Sequence, residues 1–408
     1  MLRPTVELES LYRNILRQNP LSAFQVYANT IAKRTGNRYA FGSLPFYLPE
    51  VTYVEIEASV RAITNVLASP MYRDRMLAET PFLPYPALRR EDLIGSVDFH
   101  LGEQGPKIIE VNFNVPGLIG FAELLEATYH GIVHVGGRKH LCADLMKALA
   151  ETVACAHGGR VAIAVSHLPM SRPFLTHYRM LAETMRALGV DADLVDARDV
   201  VLGSAGELLW DSRRYDAVLS LVIPATWEQH SAEFSSYTAA YEASPHRFFP
   251  NPVGGQLGSK LLLTMLDDLD ALVPDSIENE RACLERMTLA AKPLNSFANE
   301  EEAVAAFGGL CRMVLKPTHS YGSQGVFVQP SKADLGRVFN HLRDNYIVQE
   351  YYAPLRYPAL QPDGSLLMEQ TRLELRTFFV GGRIAGATGF EFGKGTHQCP
   401  MVPVVLYG

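Results

Sequence analysis

Residues 96–117 read S-V-D-F-H-L-G-E-Q-G-P-K-I-I-E-V-N-F-N-V-P-G. Apolar and polar side chains alternate here, which predicts a strand from Ser96 to Leu101, a glycine-bounded turn, and a second strand from Lys107 to Asn112. Residues two apart on a strand share a face, so Glu110 and Asn112 point the same way, and antiparallel pairing brings Asp98 alongside them. Three oxygen donors on one surface suit a hard cation such as Mg2+, which takes one or two carboxylates together with substrate phosphates. The same pattern also fits a surface hairpin of ordinary solvated side chains.

The surrounding chain is 408 residues long, 48% hydrophobic and 20% charged, an ordinary globular composition. That length exceeds the usual size of a single core and predicts two or three lobes. A net charge of -7 and a pI near 6.0 argue against nucleic acid or an anionic membrane as partner, since both call for a basic excess. Small molecules are the expected partners. Cys142, Cys155, Cys283, Cys311 and Cys399 are scattered, odd in number and free of C-x-x-C spacing, so neither a disulfide framework nor a zinc site is indicated. The opening M-L-R-P-T-V-E-L-E-S lacks a signal-peptide pattern and no apolar run is long enough to span a bilayer, so a cytoplasmic location is expected.

Residues 5–80 read as mainly helical, with Leu8, Leu11, Ile15 and later Val54, Ile56, Val60, Ile63 and Val66 near helical spacing. Pro81, Pro84 and Pro86 interrupt that pattern, and a helix over Leu118 to Tyr129 follows the hairpin. From about Arg138 to Pro252 helices alternate with apolar strands, among them Arg160–Ser166, A-D-L-V-D and A-V-L-S-L-V-I, which predicts a mostly parallel sheet covered on both faces. This region resembles a small Rossmann-like domain. No G-x-G-x-x-G follows its first strand, so dinucleotide binding is unsupported. A second α/β region follows, with a helix opened by Ser259 and Lys260, strands M-V-L-K-P, G-V-F-V-Q and Y-I-V-Q-E, and helices near Glu300–Phe307 and Ala333–Leu342. L-E-L-R-T-F-F-V and R-I-A-G-A-T-G-F-E-F, joined at Gly381-Gly382, form a final hairpin.

Lys316 ends one of these strands and leads into a turn from His319 to Gly325 that contains Ser320, Gly322, Ser323, Gln324 and Gly325. Glycines let backbone N–H groups crowd an anion, and a lysine adds a point charge, so the segment fits a flap over triphosphate; it equally fits an ordinary glycine turn. Further on, Y-I-V-Q-E-Y-Y-A-P is an apolar strand that stops at Glu350. A strand leaving a sheet can offer an apolar slot and polar groups to an adenine edge, with Glu350 receiving the exocyclic amine.

Taken together, these pieces resemble the ATP-grasp superfamily of carboxylate-amine ligases. The resemblance implies that Lys260 is the first nucleotide-contacting lysine, Lys316 the second, Ser320 to Gly325 the flap, and Glu350 the hinge acid, with Tyr351 and Glu374 also at the nucleotide. It implies that Asp98, Glu110 and Asn112 hold the metal. In most of the superfamily the Glu-x-Asn hairpin comes last, whereas here it precedes Lys316 by some two hundred residues. That order is similar to eukaryotic-type glutathione synthetase and glutathionylspermidine synthase, and implies a circularly permuted α/β ATP-grasp fold with a Rossmann-like substrate domain.

The implied division is residues 1–130 as a helical region plus the metal hairpin, 131–252 as the substrate domain, 253–350 as the lid, and 351–408 as the remainder of the large lobe. The helical region near Met1 and the C-terminal hairpin then share one lobe. Ser96 stands where many unpermuted relatives carry an arginine, so another cation is expected to steady the acyl phosphate: Arg376 or Arg383, with Arg89 and Arg90 behind them.

The implied chemistry uses ATP and Mg2+, with Mn2+ as a substitute, to join a carboxylate to an amine through an acyl phosphate. An ATP-grasp kinase and a two-lobed binding protein are the alternatives. Substrate-facing candidates are Ser166, His167, Arg172, Trp227, Glu228 and His230, and His319, His397 and Cys399 sit in loops able to close over substrate. The expected partners are small-molecule carboxylates and amines, with self-association into a homodimer allowed.

Overall fold

A computed structural model of the chain describes residues 6–35, 41–79, 93–113, 119–135, 141–157, 159–166, 175–222, 224–250, 259–266, 278–320, 323–361, 363–392 and 400–407. It is a mixed α/β structure with four sheets among the described residues. Helices α1 (Val6–Gln18) and α2 (Leu21–Arg34) lead to strand β1 (Phe46–Pro49), then α3 (Glu50–Ala68) and α4 (Pro70–Glu79). The hairpin is β2 (Ile94–Gly102) and β3 (Gly105–Phe113), longer at both ends than its sequence pattern indicates. Next come α5 (Ile119–Ile132), α6 (Leu145–His157), β4 (Arg160–Val165), α7 (Leu175–Ala187) and β5 (Asp191–Asp196).

Three short strands follow that the sequence reading did not anticipate: β6 (Val201–Leu202), β7 (Leu208–Trp210) and β8 (Arg213–Tyr215), which form an antiparallel sheet of their own. Runs of two or three residues are too short to show an alternation. After β9 (Ala217–Ser220), α8 (Pro224–Gln229), α9 (Ser235–Ala243) and β10 (Phe248–Phe249), the four strands β10-β9-β4-β5 pair side by side, all parallel. Their faces are covered by α5, α6 and α7 on one side and by Trp227, Tyr237 and Tyr241 on the other.

The third sheet is β11 (Ala291–Pro293), β14 (Tyr346–Glu350), β12 (Met313–Pro317) and β13 (Phe327–Val328), in that order and antiparallel. Its helices start where local chemistry dictates. Ser331 and Asp334 make a reciprocal capping box on helix Lys332–Leu342, and Asn299 caps Glu300–Ala306, whose first turn holds Glu300, Glu301 and Glu302 near the positive end of the dipole.

The largest sheet has seven strands, in the order β1-β18-β17-β16-β2-β3, with β15 (Arg356–Leu360) also on β16 (Leu366–Val380); β17 is Arg383–Phe392 and β18 is Met401–Tyr407. The early hairpin therefore lies beside the last strands of the chain. One half of β16 pairs with β15 and the other half with β2, so Arg376 lies opposite Asp98 and Glu374 opposite His100. On one face Ile56, Val60 and Ile63 of α3 pack on Val97, Phe99, Leu375 and Val404. On the other, Phe24, Phe121, Leu125 and Tyr129 pack against Phe378, Phe390 and Met401. Each fully buried side chain of this kind contributes about 1.5–3 kcal/mol.

Gly95 on β2 shows how close this packing is: a Cβ there would lie 2.2 Å from Cζ of Phe379 and 2.4 Å from the main-chain oxygen of Asn112. Gly95→Ala is expected to lower stability by about 1–3 kcal/mol. Urea denaturation checks this; an unchanged midpoint would contradict the packing described.

Candidate functional site

The site is organised by an irregularity in the hairpin. Asp98 pairs with Glu110, yet the next residue, Phe99, pairs with Ile108, so Ile109 is an extra residue, a β-bulge. Simple alternation would put Ile108 and Glu110 on one face. The bulge separates them. Ile108 joins the apolar cluster with Val97 and Phe99, while Glu110 and Asn112 turn to the opposite face, beside Asp98. Across from the bulge, the Lys316 ammonium of β12 donates to the carbonyl of Ile109 at 2.6 Å, and Nε2 of Gln349 on β14 donates to that of Ile108 at 3.3 Å. The bulge thus joins the small antiparallel sheet to the large one.

Four acidic or amide side chains meet three cations here. Nε and Nη2 of Arg376 donate to the two oxygens of Asp98 at 2.6 and 2.5 Å, and Nδ2 of Asn112 donates to Oδ2 at 3.1 Å. Phe390 lies under the Arg376 guanidinium, 4.9 Å from ring centroid to Cζ, so the fork is fixed from two sides. Glu374 is reached by Arg376 only at 3.9 Å, and Glu110 by the Lys260 ammonium at 3.3 Å. Lys260 also donates to the carbonyl of Ser320 at 2.8 Å, and its own N–H to that of Thr318 at 3.0 Å, tying the turn to the helix at Leu261–Met265. Three carboxylates, Asp98, Glu110 and Glu374, face three cations.

Burial sets the protonation of this cluster. Desolvation, then the Asp98 charge, pushes the Glu374 carboxyl up to about 8. Desolvation likewise raises Asp98, against the pull of the Arg376 guanidinium, and lowers Lys316 to about 8 against the pull of Glu110. His100, on the same face as Asp98, is pushed by burial down to about 4 and is neutral near pH 7.

Not every residue expected from the sequence joins the cluster. Arg383 is exposed beside the Gly381-Gly382 turn, opposite Val380 at the far end of the hairpin, and so lies away from Asp98. Glu350 pairs with Arg312 at 3.0 Å, and the backbone N–H groups of Glu350 and Tyr351 are taken by the carbonyls of Ala290 and Arg312. Ser323 and Gly325 have left-handed backbones with φ of 58° and 71°, and the Tyr346 hydroxyl donates to the Gly325 carbonyl at 3.1 Å; Gln324 is exposed. Ser166 and Trp227 are buried, Glu228 and His230 follow β9, and His319 lies within electrostatic reach of both Glu228 and Lys260. Arg89, Arg90, His167, Arg172, Gly322, His397 and Cys399 lie outside the described residues.

His100, Arg312, Gln349 and Tyr352 were missed. His100 alone had a signal, since it continues the alternation from Asp98. The others act through register between distant strands.

Among the described residues, no three His, Cys, Asp or Glu side chains are grouped so as to hold a metal ion. Arg376 engages both oxygens of Asp98, and Glu110, Glu374 and Asn112 supply further oxygen donors of the kind a hard cation takes. Among the described residues no helix is long and apolar enough to cross a membrane.

No protein-family model matches the sequence, and no curated protein does. Solved structures do. The fold is that of a glutathione synthetase-like effector from Globodera pallida in its apo form, with a TM-score of 0.61 and 11% identity over 97% of this chain and 99% of that one. A putative gamma-glutamylcysteine synthetase from Methylobacillus flagellatus KT gives a TM-score of 0.47, with 11% identity over 87% of both chains.

The raised Glu374 pKa carries a stability consequence. Below about pH 4.5 the group is protonated in both states; between there and about 8 only the unfolded chain ionises, so its contribution to stability is lost as pH rises through that window. Glu374→Gln removes this dependence. The variant is expected to gain on the wild type by on the order of 3 kcal/mol between pH 5 and pH 8. Thermal and urea unfolding across that range measure the difference, and a constant difference would contradict the assigned protonation.

Proposed function

We propose that the chain is an ATP-dependent carboxylate-amine ligase that forms an amide or peptide bond through an acyl phosphate and releases ADP. The observation that carries this is the convergence of Lys260, Lys316 and Arg376 on Glu110, Asn112, Glu374 and Asp98. Carboxylates and lysines buried together favour a polyanion that arrives with its own cation. The shared fold with a glutathione synthetase-like protein supports the same class. We assign the architecture to a permuted ATP-grasp fold, with residues 131–252 as a Rossmann-like substrate domain and 253–350 as the lid. A cytoplasmic setting and small-molecule carboxylate and amine substrates belong to this proposal.

Lys316 and Lys260 hold the triphosphate, with the backbone N–H groups of Ser320, Ser323, Gln324 and Gly325 assigned to cover it. Glu110, Asn112 and Glu374 would hold Mg2+, which when bound neutralises phosphate charge and orients the terminal phosphoryl group. Asp98 serves as the anchor of Arg376. The substrate carboxylate attacks the γ-phosphorus, ADP leaves, and the Arg376 N–H groups not bonded to Asp98 steady the acyl phosphate and the oxyanion formed when the amine adds. The amine nitrogen gives up a proton and phosphate departs, leaving the amide. Closure of the turn keeps water from hydrolysing the acyl phosphate.

Lys316→Ala and Glu110→Ala are each expected to cut ADP formation by a factor of about 100 or more. An ADP-release screen over amino acids and small peptides, alone and in pairs, with mass detection of products, makes the test. Amine-dependent turnover supports the ligase, a phosphorylated product would indicate a kinase, and near-normal turnover in both variants would sink the site.

A further inference from the structure

Glu350 is the group expected to receive a nucleobase amine, and one of its carboxylate oxygens is bound to Arg312. The neighbouring backbone donors of Glu350 and Tyr351 are also engaged within the protein. A different acceptor stands beside the segment that follows Glu350. His100 lies on the site face of β2, opposite Glu374, with ring Nδ1 2.8 Å from the main-chain oxygen of Tyr352, two residues past Glu350. A carbonyl oxygen only accepts, so Nδ1 carries the proton, and Nε2 is the ring nitrogen left to accept. Among the described residues no donor is bonded to Nε2.

The segment that holds this ring is itself tied to the hairpin. The Tyr352 hydroxyl donates to the Gly105 carbonyl and accepts from the Gln104 N–H, both at 2.9 Å, and its ring lies so close to Gly102 that a Cβ there would meet it at 2.4 Å. The segment after β14 is thus fastened to the β2–β3 hairpin, with the partly exposed His100 between that segment and the acids.

We propose, resting on the ligase reading above, that His100 reads the nucleobase: its Nε2 accepts a hydrogen bond from the exocyclic amine of a 6-aminopurine nucleotide. A 6-oxo purine would set two acceptors against each other, and a purine without a 6-substituent would leave Nε2 unpaired. The discrimination follows from one fixed tautomer.

Calorimetric titration of the full chain with ATP, inosine triphosphate and purine riboside triphosphate, each with Mg2+, tests this. Wild type is expected to bind ATP about tenfold or more tightly than either analogue. His100→Leu should bring ATP to the level of inosine triphosphate while leaving the latter within about twofold, and His100→Gln, which keeps a donor and an acceptor, should retain most of the preference. Equal binding of ATP and purine riboside triphosphate by wild type overturns the inference even if the variants do not fold. So does an unchanged preference in a folded His100→Leu. In both cases the ligase reading stands, whereas failure to bind any of the three nucleotides overturns both.

Discussion

The bulge at Ile109 is the constraint from which the rest of the site follows. A regular strand would hold Ile108 and Glu110 on one face, forcing either an isoleucine out of the core or a carboxylate into it. One extra residue removes that conflict and leaves two carbonyls available to Lys316 and Gln349 on another sheet. The hydrophobic cluster beneath the hairpin and the charged surface above it are therefore set by the same backbone feature. The junction between the two sheets lies where the lysine meets the acids.

That junction concentrates charge at a cost to stability. Lys316 loses solvation and Glu374 retains a proton well above the usual carboxylate range, so part of the cluster is held in forms that water would not favour. Such groups are poised to exchange protons when a charged ligand enters. Asp98 is different. With two charge-assisted bonds to Arg376 and one from Asn112, it fixes the orientation of the guanidinium.

Much of the local structure was legible in the sequence. M-V-L-K-P and Y-I-V-Q-E form strands over the residues expected, and the paired runs around Gly381-Gly382 form a hairpin, because each is a bounded apolar or alternating segment. The bulge was not legible, since I-I-E-V-N reads as plain alternation. Nor was the Arg376–Asp98 fork, whose partners are 278 residues apart and meet only through strand register. Arg376 and Arg383 were equal candidates in sequence; register put one against Asp98 and the other at an exposed turn. Glu350 was found as the end of its strand, but its attachment to Arg312 and the neutral ring of His100 depend on contacts between sheets.

The most direct test of the account is a crystal structure of the full chain with Mg2+ and a non-hydrolysable ATP analogue. The triphosphate is expected between Lys260 and Lys316, with a metal ion on Glu110, Asn112 and Glu374 and Asp98 still bound to Arg376. A nucleotide seated elsewhere, or a metal ion that displaces Arg376 from Asp98, would contradict it.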